Sequence, residues 1–257
     1  MKITLVPSSV SERGGNQHQY LTSYLINDVL AVDAGSLGLW QTAAEQARIK
    51  HVLISHTHID HIGSLPIFVE NIYESDAGDC VTIHASQQAL DALRQDIFND
   101  RIWPDFVALS APEAPFLKLE PLEAQKTIQL EGLSITPVPV NHVVPTLGFL
   151  IEDKNAAVLI VSDTGPTEAI WRRANSAPRL KAVFLEATFP DSLAWLAEVS
   201  KHLTPSLFAG EVRKLKERAA VIAVHIKARY RDQVIKELKA LGIPGLEIGQ
   251  FGRVYKF

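Results

Sequence analysis

The sequence predicts an α/β protein layered as a sandwich, with two β-sheets inside and helices outside. Short runs rich in Val, Ile and Leu recur along the chain, and helical patterns separate the later ones. These strand-length runs are more numerous than one doubly wound sheet needs, and they crowd the first half.

In chain order the expected strands are Ile3–Val6, Leu30–Val32, Val52–Ile54, Val81–Ile83, Leu133–Val140, Leu147–Ile151, Val158–Val161, Val183–Leu185 and Val221–Val224. Each is short, apolar and bounded by polar residues, which favours strand over helix. Glu152-Asp153-Lys154-Asn155 lies between two of them and reads as a hairpin turn. Helices are expected over Ser86–Asn99, where the serine can cap and Leu90, Leu93 and Ile97 share a face, and over the short amphipathic Leu193–Val199. Two more, Leu207–Arg218 and Arg231–Leu241, repeat apolar residues at three- and four-residue spacing. No repeat, low-complexity tract or long linker interrupts the chain, so residues 1–257 are expected to form one domain.

Composition narrows the class. Of 257 residues, 47% are hydrophobic and 21% charged, the balance of a globular protein. The longest unbroken apolar runs, Ala156–Val161 and Ala219–Val224, fall far short of the roughly 20 residues that span a bilayer. The start, Met1-Lys2-Ile3-Thr4-Leu5-Val6-Pro7, does not resemble a signal peptide, so a cytoplasmic location without membrane partners is the expectation. Cys80 is the sole cysteine, which excludes an internal disulfide and any CxxC site. A net charge of −4 gives no global field for nucleic acid, and none is expected as a partner. Any polyanion must be met by local groups.

The strongest chemical signal is Ser55-His56-Thr57-His58-Ile59-Asp60-His61-Ile62-Gly63, directly after an apolar strand. Three imidazoles and a carboxylate in six residues are unfavourable as mere packing, because neither group tolerates burial unsatisfied. Both are ligands for zinc-like metals. His56 and His58, two apart in extended chain, point the same way and can chelate one ion. Asp60 and His61, past the turn, suit a second. Three later residues, His142, Asp163 and His225, each follow an expected strand, and strand ends are where α/β proteins gather their sites. The seven divide as His56, His58 and His142 on one metal, Asp60, His61 and His225 on the other, with Asp163 between.

The pattern HxHxDH followed by a later His, Asp and His resembles the metallo-β-lactamase fold superfamily over the whole chain. That resemblance implies a four-layer αβ/βα sandwich with a two-metal site on the edge between the sheets. The ions would be zinc first, with manganese or iron as alternatives, since His/Asp sites fill by availability. Asp33-Ala34-Gly35 looks like the family's early Asp motif, whose carboxylate supports the ligands without binding metal. Ser162-Asp163-Thr164-Gly165-Pro166-Thr167, Glu186-Ala187-Thr188-Phe189 and His202-Leu203-Thr204-Pro205 look like the phosphodiesterase branch. Within it, Arg101-Ile102-Trp103-Pro104-Asp105 and Thr22-Ser23-Tyr24-Leu25-Ile26 resemble the class II cyclic-nucleotide enzymes, although Ile59 replaces that group's usual Leu. Nothing resembles the long Gly/Pro-rich arm of the tRNA 3′-processing enzymes. The implied activity is hydrolysis of 3′,5′-cyclic AMP or GMP to the 5′-monophosphate, with a homodimer as the ordinary expectation for an enzyme of this size.

A phosphodiester resists hydrolysis because its charge repels nucleophiles and its alkoxide leaves poorly. Two metals about 3.5–4 Å apart meet both obstacles by generating hydroxide from a bridging water and offsetting charge. Asp60 is placed to orient that water or accept its proton. His202 is the candidate general acid, because imidazole titrates near working pH. Glu186 would hold its ring, a pairing that the tRNA-enzyme resemblance also implies. Trp103 and Phe106 are candidates for a wall on which a base stacks, and Asn71 and Asn141 for polar substrate contacts. The alternatives are a tRNA 3′-endonuclease-like enzyme, an ester, thioester or lactone hydrolase, and a scaffold without catalysis. His18, His51 and His84 are read as surface or rim residues, Arg213–Arg218 as a solvated helix face, and Cys80 as part of a turn.

Overall fold

The computed structural model describes residues 1–8, 18–73, 81–110 and 115–257. Cys80 lies outside them. Strands β1 (Lys2–Leu5), β2 (Tyr24–Ile26), β3 (Leu30–Val32), β4 (His51–Leu53), β5 (Val81–Ala85) and β6 (Leu117–Pro121) form one sheet with β14 (Val254–Lys256), in the order β14-β1-β2-β3-β4-β5-β6. The second sheet holds β7 (Ile128–Leu130), β8 (Leu133–Val140), β9 (Thr146–Glu152), β10 (Ala157–Ile160), β11 (Leu180–Glu186), β12 (Ala220–Val224) and β13 (Leu246–Ile248), in the order β13-β12-β11-β10-β9-β8-β7. Each sheet is antiparallel on one side and parallel on the other, with β3 to β6 and β10 to β13 as the parallel halves.

Side-chain alternation divides these strands among three cores. Val32, Leu53, Val158, Ile160, Phe184 and Ile222 point inward and meet between the sheets. Val52, Ile54 and Ile83 point outward from the first sheet onto Leu65, Phe68 and Leu90 of its helices. Leu159, Val161, Val183 and Leu185 do the same on the second sheet, against Trp171, Phe208, Val234 and Leu238. Burial on both faces explains why the sequence shows continuous apolar runs in place of clean alternation. The result is the expected four-layer αβ/βα sandwich. No helix among the described residues is long and apolar enough to cross a membrane.

The helices differ from the expected spans for local reasons. Ser86 does cap, its Oγ accepting from Ala89 N at 3.2 Å. The α-helix nevertheless ends at Ala92 and continues as a wider π turn over Leu93–Ile97. Bonding from Phe98 N to Leu93 O at 2.9 Å lets these two buried residues share a face, which regular α spacing would not allow. The expected Leu207–Arg218 helix runs instead over Pro205–Val212, started by the Thr204 cap with proline at its first turn. The 213–218 segment is mostly exposed, as expected, but is not helical. Lys214 leaves the helix to reach Glu211 Oε1 and Thr167 O, both at 2.7 Å, and buried Glu211 accepts from the Trp171 indole. The 152–155 hairpin turn is as expected, with Asp153 Oδ1 accepting from Asn155 N and Ala156 N.

Topology sets the site. β3 and β4 are parallel, and β8, β10, β11 and β12 run alongside one another in direction. Leu147 N, opening the way into β9, donates to Ser55 O just past β4, which ties the two sheets together at the end where those strands finish. Every candidate ligand lies within a few residues of that edge.

Candidate metal centre

Seven side chains converge there. The donor atoms of His56, His58, His142 and Asp163 all lie within 4.8 Å of one another, and so do those of Asp60, His61 and His225. Asp163 faces both groups. Its Oδ2 is 3.3 Å from His61 Nε2 and 3.8 Å from His56 Nε2, while Oδ1 is 3.5 Å from His225 Nε2. His142 Nε2 and His58 Nδ1 stand 3.2 Å apart, and His225 Nε2 lies 3.3 Å from Asp60 Oδ2.

The backbone explains this convergence. Ile59–Ile62 form one helical turn after His58, which swings Asp60 and His61 away from His56 and His58. Ser162, two residues past β10, and His225, directly after β12, adopt left-handed φ values of 63° and 55°. Such geometry is costly for side-chain-bearing residues and turns each chain sharply at the site. Asp33, at φ 59°, turns the chain after β3. Gly35 then runs so close to the motif that a Cβ there would meet Asp60 O at 2.1 Å, so only glycine fits.

Hydrogen bonds orient the rings. Asp33 Oδ2 takes His61 Nδ1 at 2.7 Å and Ser55 Oγ at 2.8 Å, and its Oδ1 accepts from Ser55 N at 2.8 Å. Ser55 Oγ in turn meets His56 Nδ1 at 3.0 Å. His142 Nδ1 is held by Lys201 O at 3.1 Å, and His225 Nδ1 by Thr188 Oγ1 at 3.0 Å. His56, His61, His142 and His225 are thus anchored through one nitrogen and present the other inward, the arrangement that orients histidine ligands.

The donor set fits divalent metal. His56 Nε2 and His61 Nε2 are buried without a hydrogen-bond partner, an arrangement unfavourable unless something else binds them. Electrostatics agrees. Burial alone would raise the Asp163 carboxyl, but His225 and His61 hold it well below the carboxylate range. Burial likewise opposes ionisation of Asp60, yet the His225 hydrogen bond and the charges of His225, His61 and Lys227 keep it ionised. Burial lowers His56, His58 and His142, favouring the neutral imidazoles that bind metal.

Beside this cluster stands His202, buried, with donor atoms of Asp163, His225 and His202 within 4.8 Å. Its Nδ1 lies 2.7 Å from Glu186 Oε1, at the last residue of β11. Glu186 is fixed in turn by Thr164 N at 2.9 Å, Leu203 N at 3.0 Å and Thr188 Oγ1 at 2.6 Å. Burial would lower His202, but the neighbouring Glu186 charge and hydrogen bond outweigh it and raise its pKa. A cavity of about 570 Å³ opens on its other side, bordered by Asn141, Gly165, Pro166, Ala194, Lys201 and Leu207.

The four residues singled out as substrate contacts are placed differently. Asn141 borders that cavity, donating to Pro166 O at 3.0 Å and accepting from Lys201 Nζ at 2.9 Å. Asn71 holds Gly38 O and Gln46 Oε1 at 2.9 and 3.1 Å. Trp103 and Phe106 pack against the helix-side core of the first sheet, where the Phe106 ring meets Phe98 at 5.9 Å and Phe116 at 5.7 Å. His84 is not a rim residue: it is buried, and its Nε2 meets His51 Nδ1 at 3.1 Å. Sequence reasoning gave no role to Thr188, Lys201 or Lys227, which touch the site. Their only signal is position, beside Glu186, His202 and His225.

The comparisons with known proteins agree with this geometry. A family model described as a beta-lactamase superfamily domain matches residues 25–226. A probable 3′,5′-cyclic-nucleotide phosphodiesterase of Yersinia pestis is 26% identical over 292 residues, covering 91% of this chain and 83% of that protein. A ribonuclease Z of Mycolicibacterium paratuberculosis is 30% identical over 168 residues, covering 59% of this chain and 58% of that protein. The crystal structure of unliganded yeast PDE1 superposes with a TM-score of 0.79 at 19% identity, covering 98% of each chain. With the family model spanning most of its length, the chain belongs to the beta-lactamase superfamily.

Proposed function

We propose that this protein is a metal-dependent phosphodiesterase that opens 3′,5′-cyclic nucleotides, cAMP or cGMP, to 5′-monophosphates. The observation that carries this reading is the His202–Glu186 pair, 2.7 Å apart, standing within reach of the seven-donor cluster. A ribose alkoxide leaves poorly and gains from such a proton donor, whereas the thiolate of a thioester leaves without one. Two divalent ions, zinc in first place, supply Lewis-acid activation of water and offset phosphate charge when bound.

The remaining work falls to the chain. His56, His58 and His142 would hold one ion and Asp60, His61 and His225 the other, with Asp163 within reach of both groups. Asp60, kept ionised, orients the attacking water, whose proton is lost to solvent. The new bond joins water oxygen to phosphorus, and the bond from phosphorus to the 3′ oxygen breaks. His202 delivers a proton to that oxygen, its ring held at Nδ1 by Glu186. The neighbouring cavity, within the usual range of about 300–1,000 Å³ for ligand sites, takes the nucleoside, with Asn141 as a polar contact.

One assay panel on metal-reconstituted protein tests this: cAMP, cGMP, a 2′,3′-cyclic nucleotide, an aryl phosphodiester and a thioester. Turnover of a 3′,5′-cyclic nucleotide to the 5′-monophosphate is expected. Turnover of the thioester alone would replace the reading with ester hydrolysis on the same centre.

A further inference from the structure

Lys227, two residues past His225, places an ammonium at the mouth of the centre. Its Nζ lies 3.0 Å from Asp60 Oδ2, the oxygen that also faces His225 Nε2. The backbone beneath it is fixed: Lys227 N donates to Thr188 O, Tyr230 N donates to Lys227 O at 2.9 Å, and Lys227 bridges Gln19 in parallel. The side chain remains 39% exposed, so the ammonium faces solvent beside Asp60.

An ion pair this exposed adds little to stability, typically about 0–1 kcal/mol. Placement therefore argues for another purpose. An ammonium carries three donors, and the contact with Asp60 uses one. The molecule is acidic overall, at net charge −4, so an anionic substrate must be met by local cations. We propose that Lys227 Nζ binds a non-bridging oxygen of the scissile phosphodiester, a role that rests on the phosphodiesterase reading and that a neutral ester or lactone would not engage. The contact acts as a point charge on an oxygen whose negative charge persists through the reaction.

Lys227→Met and Lys227→Arg, each reconstituted with metal, test this by three readouts: metal per chain, calorimetric affinity for inorganic phosphate, and KM against kcat for an aryl phosphodiester. With the methionine variant, metal content should stay at the parent value while phosphate binding weakens roughly 10- to 100-fold and KM rises, the scale of a charged hydrogen bond. The arginine variant should recover most of both. Loss of metal from the methionine variant would show instead that Lys227 merely holds Asp60, and unchanged phosphate affinity would overturn the contact. If the parent binds phosphate through Lys227 yet hydrolyses no phosphodiester, the contact stands and the phosphodiesterase reading falls.

Discussion

Two groups of imidazoles flank β4, one beginning at its first residue with a partner from β5 and one following its last, and they behave in opposite ways. His51 is the first residue of β4; His56, His58 and His61 follow its last. At the far end, Asp33, Asp60 and Asp163 face the rings. At the near end, His51 meets His84 at 3.1 Å, and among the described residues the carboxylate that reaches it is Glu131 of the β7–β8 turn, at 3.6 Å. Burial pushes His84 down to about 4, with His51 adding to the effect, and burial also lowers His51. Burial would lower His61 as well, but Asp163 and Asp33 reverse it and raise its pKa. Carboxylate placement, more than histidine density, separates a cation-gathering site from a pair of rings that burial holds neutral, one buried and one half-buried.

Removing the shared carboxylate breaks that contrast most severely. In Asp163→Asn, metal per chain should fall and phosphodiester turnover should drop to background, read by elemental analysis and assay; full retention of both would erase the distinction. Next comes the proton donor. His202→Ala should lower kcat by roughly 10²- to 10⁴-fold with metal content unchanged, the usual worth of general acid catalysis. Loss of the metal along with the rate would make His202 a ligand. Asp33→Asn sharpens the comparison further, since it leaves every candidate ligand in place and changes the charge and hydrogen bonds that Asp33 offers His61 and Ser55. A chelator titration should then show metal affinity weakened by about 10- to 100-fold.

The smallest effect belongs to the near end. Because His84 titrates at about 4 in the folded chain against an ordinary 6.5, the unfolded chain binds its proton more readily between those values. Its contribution to stability is therefore complete above about 6.5 and is lost as pH falls toward 4. Urea melts across that window should show a shallower pH slope in His84→Gln than in the parent. An equal slope in both proteins would remove the pair from the account of acid sensitivity.

The same contrast explains what was readable in one dimension. Core strands such as β10 and β12 announce themselves because both faces are buried, which leaves apolar runs. Edge and half-exposed strands do not. β6 shows the alternation Leu117-Lys118-Leu119-Glu120, and β7 joins β8 through Glu131-Gly132, both at positive φ as a two-residue hairpin requires. Both signals are present but short. The helix Leu65–Asn71, entered through Pro66, and Ala169–Ala174, which buries Trp171, are too brief for periodicity to register. The metal-ligand candidates were legible because histidine and aspartate directly after apolar strands have few other reasons to be there. Thr188, Lys201 and Lys227 were not, since their residue types are common and only the turn geometry brings them to the site. His84 misled because alternation sends it inward beside His51, and no local pattern reveals a partner across the strands.

Phosphorus NMR of 3′,5′-cyclic AMP incubated with metal-reconstituted protein examines the central claim without intermediaries. Conversion to the 5′-monophosphate signal is the expected result. An unchanged cyclic signal, with two metals per chain verified in the same sample, would contradict it.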